Sequence, residues 1–241
     1  MKKMIIICQL LLITSLTASN YNLIPESKDY IYTDSNLFIA TDNYKYNISD
    51  INIIDKTFMN GYNPNYALLS DALLMANIVS PTIINYSQFT NSWELPLAYG
   101  ETIATSFALT YIVKYLVERP RPFNYYKNTP ENLLNNYDSQ LSFFSGHSSI
   151  SFSAAVFNSL IYEKYNPYSR YKGLIWSVSL LSATTTATLR VLAGKHFLSD
   201  VIIGAIVGSL ISYGIIELNS LEVKDNKPHN IQLIQFKYSI K

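Results

Sequence analysis

The sequence contains little cysteine, histidine or charge. Its 241 residues include one cysteine and three histidines, and only 15% of them are charged. The single cysteine, Cys8, lies in an apolar N-terminal stretch, which excludes disulfide and thiolate chemistry from the rest of the chain. Formal net charge is +1, and loss of Lys2 and Lys3 with a leader would leave it close to zero. Such a balanced chain has no general attraction to nucleic acid, so we expect no nucleic-acid partner.

The first nineteen residues have the pattern of a secretory signal peptide. Two lysines precede an apolar stretch at residues 4–16, and small residues follow at 17–19. The stretch is short for a membrane span, although an uncleaved anchor is the alternative interpretation. We therefore expect export. The domain organisation predicted from composition is a leader at 1–19, a polar N-terminal segment at 20–62, one domain at 63–218 and a polar tail at 219–241.

Five long apolar segments follow one another in the predicted domain. They cover residues 66–87, 95–117, 148–162, 173–192 and 201–218. Prolines and an Asn-Pro pair punctuate them. This pattern predicts an all-α fold, an antiparallel bundle of about five to six core helices. Two segments have uncharged runs near the lower limit of about 17–25 residues for a spanning helix. A membrane-associated bundle is slightly favoured, with a soluble exported bundle as the near-equal alternative.

Two polar clusters stand at the ends of apolar segments. Lys114 and Arg121 close the second segment, and the prolines on either side of Arg121 place it on irregular backbone beyond the helix. Ser145, Gly146 and His147 open the third segment. A helix start with free N–H groups, a glycine and a hydroxyl is a ready anion site. The polar stretch at 124–142 between these clusters is expected to form a loop with a short helix over the site.

The third cluster lies between the last two apolar segments and contains Arg190, His196 and Asp200. The histidine and the aspartate are four residues apart and would share a face on a continuous helix. A carboxylate there can hold one imidazole nitrogen and leave the other free to attack an electrophile. The arginine is the planar cation that suits phosphate oxygens. In an antiparallel bundle, all three clusters can meet in one pocket at the helix ends.

The order and spacing of these clusters resemble the three-part signature of the type 2 phosphatidic acid phosphatase (PAP2) superfamily. That superfamily includes bacterial acid phosphatases, lipid phosphate and polyprenyl-diphosphate phosphatases, and vanadium haloperoxidases. The match spans residues 114–200, in the order lysine, six residues, Arg-Pro; Ser-Gly-His; arginine, five residues, histidine, three residues, aspartate. Phe144, Leu189 and Leu198 depart from the family's usual proline, serine and proline. These departures affect loop geometry and leave the catalytic side chains in place.

The resemblance implies a role for each residue of the signature. His196 would attack phosphorus to give a phosphohistidine, and Asp200 would hold its Nδ1–H. His147 would act as general acid on the leaving oxygen and then as general base on water. The nonbridging oxygens would be bound by Lys114, Arg121, Ser145, Gly146 and Arg190. The two other basic residues nearby, Arg119 and Lys195, fall outside the signature and are expected to be surface or rim charges.

Structural interpretations compete with these roles. Asp200 can serve only as the N-cap of the following helix, with Ser199 as a rival, and His147 can simply cap its own helix. A metal site made from His147, His196 and Asp200 is a further alternative. Three cations beside the same pocket would repel a divalent ion, so we expect neither a metal ion nor a cofactor.

The implied function is metal-independent hydrolysis of a phosphomonoester or a diphosphate. The substrate would be a lipid phosphate, a polyprenyl diphosphate or a small soluble phosphate ester, and the site would face outward. Two alternatives remain at this stage. One is a phosphate- or lipid-headgroup-binding protein without turnover, although binding alone needs no nucleophile. The other is a vanadate-dependent haloperoxidase, a class whose chains are usually longer. The oligomeric state cannot be read from the sequence.

Overall fold

A computed structural model describes residues 48–126 and 128–219 of the chain. The expected leader at 1–19, most of the segment at 20–62 and nearly all of the tail lie outside these described residues. The described part contains eight α-helices: α1 (Ile53–Thr57), α2 (Pro64–Ile84), α3 (Tyr86–Asn91), α4 (Glu94–Val117), α5 (Glu131–Leu134), α6 (Gly146–Tyr165), α7 (Lys172–Leu192) and α8 (Leu198–Leu218). Short 3-10 helices cover Ile48–Asp50, Pro122–Tyr125 and Tyr137–Gln140. No β-strand occurs among the described residues, which confirms the all-α prediction.

The five long helices correspond to the five apolar segments, with shifted ends. Helix α2 begins two residues before the predicted segment because Pro64 occupies its first turn, where no N–H is needed. The Asn63 side chain caps this helix by accepting the N–H groups of Asn65 and Tyr66. At the other end, buried Asn85 terminates α2, and the short α3 follows. The predicted segment at 66–87 is therefore two helices.

Helix α6 is the centre of the bundle and packs against α2, α4, α7 and α8. Its buried surface is built largely from serine and alanine, which let neighbouring helices approach closely. Gly204 and Gly208 of α8 lie directly against this surface. A Cβ atom on Gly208 would overlap the carbonyl oxygen of Ser149. Backbone contact between α6 and α8 therefore fixes the relative position of their first turns.

Polar side chains join the helices inside the bundle. Asn77 of α2 donates to the Thr186 hydroxyl of α7 at 3.0 Å. Asn85 donates to the Asn158 side-chain oxygen of α6 at 2.8 Å, and Asn158 donates to Ser179 of α7 at 2.9 Å. Hydrogen bonds between helices stabilise bundles whose association is not driven by removal of apolar surface from water. They fix the register of α2, α6 and α7.

The outer faces of the bundle are apolar. Two described helices, α2 and α8, are long and apolar enough to cross a membrane, and 28% of the apolar window of each is buried in the bundle. On α8, Ile202, Ile206 and Leu210 succeed one another at four-residue spacing, with exposed fractions of 48%, 51% and 64%. Contiguous exposed apolar surface of this kind marks contact with a membrane or a partner.

The chain reverses direction at each long helix, so alternate helix ends meet at one end of the bundle. Lys114 lies in the last turn of α4, and His147 lies in the first turn of α6. Arg190 lies in the last turn of α7, and Asp200 lies in the first turn of α8. The three sequence clusters therefore lie at the same end of the molecule, as the bundle topology predicts.

Candidate active site

A cavity of about 390 Å³ lies at this end of the bundle. Its charged residues and histidines are two histidines, four cations and two carboxylates: His147, His196, Lys114, Arg121, Arg190, Lys195, Asp71 and Asp138. Apolar and aromatic residues from α2, α4 and α6 form another part of the wall, among them Leu74, Phe107, Tyr111 and Ile150. The cavity thus joins a cationic end to an apolar wall.

A tight turn after α7 brings His196 to the cavity. Gly194 has φ +67°, and a Cβ atom there would lie 2.5 Å from the carbonyl oxygens of Asn60 and Gly61, so only glycine fits. The His196 N–H donates to the carbonyl oxygen of Arg190 at 3.3 Å. His196 precedes α8, whereas Asp200 lies inside its first turn. The two residues therefore do not share one continuous helix, yet the turn still brings their side chains together.

The two ring nitrogens of His196 have different neighbours. Nδ1 faces Asp200 Oδ2 at 3.6 Å, which is longer than a hydrogen bond. Nε2 lies 3.3 Å from Nη1 of Arg121, a residue that lines the cavity. Burial, reinforced by the charges of Arg121, Lys114 and Arg190, lowers the pKa of His196 well below 6.5. The imidazole is therefore neutral at pH 7, and a proton on Nδ1 leaves the lone pair on Nε2, which faces the Arg121 guanidinium.

Asp200 has more partners than a helix cap needs. It is fully buried, and its Oδ2 accepts the backbone N–H of Phe197 at 2.9 Å and the hydroxyl of Ser142 at 2.5 Å. The bond to Phe197 stabilises the start of α8, so Asp200 does act on the helix terminus. It does so from the third helical position, while also facing His196.

His147 lies in the cavity wall, and its Nε2 is 2.7 Å from Oδ1 of Asp71. The capping role belongs to Ser145, whose hydroxyl accepts the N–H of Ser148 at 3.3 Å. The structure places the Ser145 side chain fully buried and outside the cavity lining, whereas Gly146 lines the cavity. Of the expected Ser-Gly-His cradle, the glycine and the histidine are therefore the parts that face the cavity.

The loop between α4 and α6 orients two of the cations. Lys114 Nζ donates to the carbonyl oxygen of Leu141. Arg121 donates through Nε to the carbonyl oxygen of Asp138 and through Nη2 to its carboxylate, both at 2.8 Å. The predicted loop between α4 and α6 thus also fixes the orientation of the Lys114 and Arg121 side chains.

Arg190 is held by α2. Its Nη1 donates to Ser70 Oγ at 3.0 Å and to Asp71 Oδ1 at 3.1 Å. Its buried Nε has no hydrogen-bond partner among the described residues. Arg190 also lines the cavity, and a buried guanidinium with a free donor is suited to a phosphate oxygen.

Asp71 and Asp138 were not anticipated as site residues. Asp71 contacts both His147 and Arg190, and Asp138 contacts Arg121. For Asp71, a signal was present in the sequence, since it is a lone carboxylate in an apolar helix. Such residues usually face a bundle interior or a polar cavity.

The expectation that Arg119 is a surface or rim charge is wrong. Its Nη1 lies 2.6 Å from Asp200 Oδ1 and its Nη2 lies 2.7 Å from Asp55 Oδ2, and its side chain is 22% exposed. Two buried carboxylates hold it inside the fold.

Lys195 does lie at the cavity, 5.1 Å from the ring centre of Tyr62. Burial and the charges of Arg121 and Arg190 lower the pKa of Lys195 to about 8.

This arrangement suits a tetrahedral anion. Four cations facing one cavity attract an anion and repel a divalent cation. A neutral imidazole backed by a buried carboxylate can act as nucleophile, and a second imidazole on the same cavity can transfer a proton.

Comparisons with known proteins point in the same direction. The sequence profile of the PAP2 superfamily matches residues 95–222. An undecaprenyl-diphosphatase of Sulfolobus acidocaldarius is 30% identical over 125 residues, which cover 50% of this chain and 55% of that protein. The chain thus aligns with about half the length of that curated relative.

A solved structure has the same fold. It is a transmembrane PAP2-type phosphatidylglycerolphosphate phosphatase from Bacillus subtilis, with a TM-score of 0.54 and 22% sequence identity. The match covers 71% of this chain and 85% of the other. Since the family profile covers more than half of the sequence and the fold agrees, the chain belongs to the PAP2 superfamily.

Proposed function

We propose that this protein hydrolyses phosphomonoesters or diphosphates of lipids through a phosphohistidine on His196. The observation that carries this proposal is the position of His196. His196 lines a cavity together with Lys114, Arg121 and Arg190. Its Nε2 accepts from Nη1 of Arg121 at 3.3 Å, while its Nδ1 faces buried Asp200. A neutral imidazole has its attacking lone pair beside the cations that would hold the phosphate.

In the first step, Nε2 of His196 attacks phosphorus in line with the leaving oxygen. The bond from phosphorus to the leaving oxygen breaks as the bond from nitrogen to phosphorus forms. His147 donates a proton to the leaving oxygen, and Asp200 stabilises the imidazolium that forms on His196. The bound phosphate adds negative charge that favours protonated His147 before the reaction.

The cations act on the charge that shifts in the transition state. Lys114, Arg121 and Arg190 bind the nonbridging oxygens, and the unpartnered Nε of Arg190 supplies a donor without losing an existing bond. Asp71 and Asp138 neutralise part of this positive charge before the substrate binds.

In the second step, water opens the phosphoenzyme. His147, now neutral, takes a proton from the water, whose oxygen attacks phosphorus. The bond from phosphorus to Nε2 breaks and inorganic phosphate leaves. His196 returns to its neutral form with Nδ1–H towards Asp200. Neither step requires a metal ion.

The substrate class is supported by the apolar wall and by the relatives. Leu74, Phe107 and Ile150 adjoin the cationic end of the cavity, which suits a phosphate attached to a hydrocarbon chain. The similar proteins named above are an undecaprenyl-diphosphatase and a phosphatidylglycerolphosphate phosphatase. A lipid phosphate or polyprenyl diphosphate is therefore preferred over a small soluble ester.

The test is phosphate release from phosphatidate, farnesyl diphosphate and p-nitrophenyl phosphate in detergent micelles, with EDTA present throughout. We expect turnover of the lipid substrates at a higher kcat/KM than the chromogenic ester, and inhibition by orthovanadate, which mimics five-coordinate phosphorus. Activity lost in EDTA and restored by magnesium or zinc would contradict the metal-independent mechanism. A protein that binds these compounds without releasing phosphate would be a binding module.

We further propose that the protein is exported and embedded in the membrane, with the cavity facing outward. The apolar outer faces of α2 and α8 support the membrane location. A cleaved leader would place the start of α2 on the outer side, and the cavity lies at that end of the helix.

A further inference from the structure

The surroundings of Asp200 extend beyond the residues of the family signature. Its Oδ2 faces His196 and already accepts from Ser142 and Phe197. Its Oδ1 accepts from Nη1 of Arg119 at 2.6 Å. Arg119 therefore neutralises part of the negative charge of Asp200. The remaining charge determines how strongly Asp200 attracts a proton or an imidazolium.

Arg119 is shared between two carboxylates. While Nη1 binds Asp200, Nη2 binds Asp55 Oδ2 at 2.7 Å. The guanidinium also lies over the ring of Phe197, with its central carbon 4.1 Å from the ring centre. Two anions and an aromatic face hold one planar cation, an arrangement that the fork of an arginine permits and a lysine does not.

Asp55 comes from helix α1, outside residues 95–222 that match the family profile. It is fully buried and accepts from the side chain of Asn52 at 2.6 Å and from the N–H and hydroxyl of Ser199 at 2.8 and 2.6 Å. Burial raises the pKa of Asp55, but the hydrogen bonds from Arg119 and Ser199 outweigh it, so the net pKa is lowered. Asp55 is thus an anion at neutral pH.

We propose that Arg119 and Asp55 are positioning residues that set the orientation and effective charge of Asp200 towards His196. This inference rests on the proposed function of His196 as nucleophile. Because Asp55 takes part of the positive charge of Arg119, Asp200 keeps more of its own negative charge to stabilise the imidazolium. The segment before the family domain thereby acts on the reaction without touching the substrate.

The two residues should affect His196 in opposite directions. Charged or titratable groups facing His196 are Arg121, Lys114, Arg190 and His147, together with Asp200. In Asp55→Asn, Arg119 neutralises Asp200 more fully, so the pKa of His196 falls. In Arg119→Gln, Asp200 is left uncompensated, so the pKa of His196 rises. General loosening of the fold would move both variants in the same direction.

The experiment combines kinetics with a titration that needs no turnover. We expect kcat for p-nitrophenyl phosphate to fall roughly 10- to 100-fold in both variants. In Asp55→Asn, Asp200 stabilises the imidazolium less, and in Arg119→Gln, Asp200 loses the bond that orients it. KM should stay unchanged because neither residue lines the cavity. The acid limb of kcat/KM should move to lower pH in Asp55→Asn and to higher pH in Arg119→Gln. Because all variants are assayed with the same substrate, a difference between their acid limbs reports the ionisation of a group on the protein and not that of the substrate. Asp50→Asn, an exposed carboxylate in the preceding turn, is the matched control.

The imidazole titration of His196 by NMR gives the second readout. The chain has three histidines, so substitution assigns their resonances. Opposite shifts in the two variants support the inference even if no phosphatase substrate is found, which separates it from the proposed function. Shifts of the same sign, or no shift, would overturn it.

A third variant covers the case in which Arg119→Gln does not fold. Arg119→Lys keeps the charge but cannot bridge both carboxylates, and its kcat should fall while its KM stays unchanged. Full kcat in Arg119→Lys would overturn the role of the bridge.

Discussion

At the scale of single residues, burial and neighbouring charges give the two histidines of the cavity, His147 and His196, different surroundings. His196 is buried among cations and kept neutral, so it can attack. His147 lines the same cavity with its Nε2 against the Asp71 carboxylate, and in the proposed mechanism it transfers a proton. The difference between these two histidines comes from their neighbours and not from their own chemistry.

Lys195 leads to a prediction about pH. Its pKa of about 8 means that its positive charge is present below pH 8 and is lost as the pH rises through that value. Because Lys195 lines the cavity, KM for a phosphate substrate should rise above pH 8 in the wild type. Lys195→Met should show a raised KM at pH 7 and a smaller further increase up to pH 9 than the wild type. The measurement is KM as a function of pH for both proteins with one substrate. An identical alkaline rise in the variant would assign the effect to another group.

The sequence indicated the signature residues but not the residues that hold them. The spacings of Lys114, His147 and Arg190 from the other signature residues can be recognised in the sequence alone. Asp71 is a single carboxylate that is 119 residues from Arg190 in the chain, and no local pattern connects the two. The same holds for Asp55 and Arg119, whose contact depends on how the segment before α2 folds onto the start of α8.

At the scale of the helices, close contact between α6 and α8 fixes the distance between the first turn of α6, which carries His147, and the first turn of α8, which carries Asp200. Gly208 allows the α8 backbone to touch Ser149, near the start of α6 that carries His147. Any side chain at this position must push the helices apart.

Gly208→Ala should therefore lower the free energy of unfolding by about 1–3 kcal/mol, the usual cost of overpacking. Gly214→Ala is the matched control in the same helix, because a Cβ atom there would have no neighbour within 4 Å. The control should gain about 0.5–1 kcal/mol, because alanine favours helix over glycine. Thermal unfolding in detergent measures both. Equal effects of the two substitutions would show that the close contact is unimportant for stability.

The helix ends show where sequence patterns stop being informative. The apolar runs and the prolines between them located all five long helices, because each helix must bury apolar residues against α6 or another neighbour. It did not place the start of α8 at Leu198, because that start depends on Asp200 accepting the Phe197 N–H inside the folded site. Nor could apolarity indicate that Asn85 ends α2, since the helix there is terminated by an asparagine that bonds to α6.

At the scale of the whole molecule, the proposed orientation can be tested with two introduced cysteines. Glu131 is exposed at the start of α5, in the connection between α4 and α6 at the cavity end of the bundle. Tyr168, which is 99% exposed, lies in the connection at the opposite end. Replacing Cys8 by serine removes the native thiol. In that background, an impermeant maleimide should label Glu131→Cys in intact cells and Tyr168→Cys only after permeabilisation.

The reverse labelling pattern would place the cavity inside the cell and contradict the proposal. Labelling of both variants in intact cells, with release of the protein by osmotic shock, would indicate a soluble exported bundle. That result would correct the location and leave the proposed chemistry unchanged, because the residues that line the cavity all belong to this chain.

The most direct test of the central claim is to trap the phosphoenzyme. Wild-type protein mixed with phosphatidate radiolabelled in its phosphate, then quenched in alkaline denaturant, should carry label that survives alkali, is lost in acid, and maps to His196. His196→Ala should carry no label, and its turnover should fall to near background because the nucleophile is gone. Wild-type turnover in His196→Ala, or label on a different residue, would contradict the account.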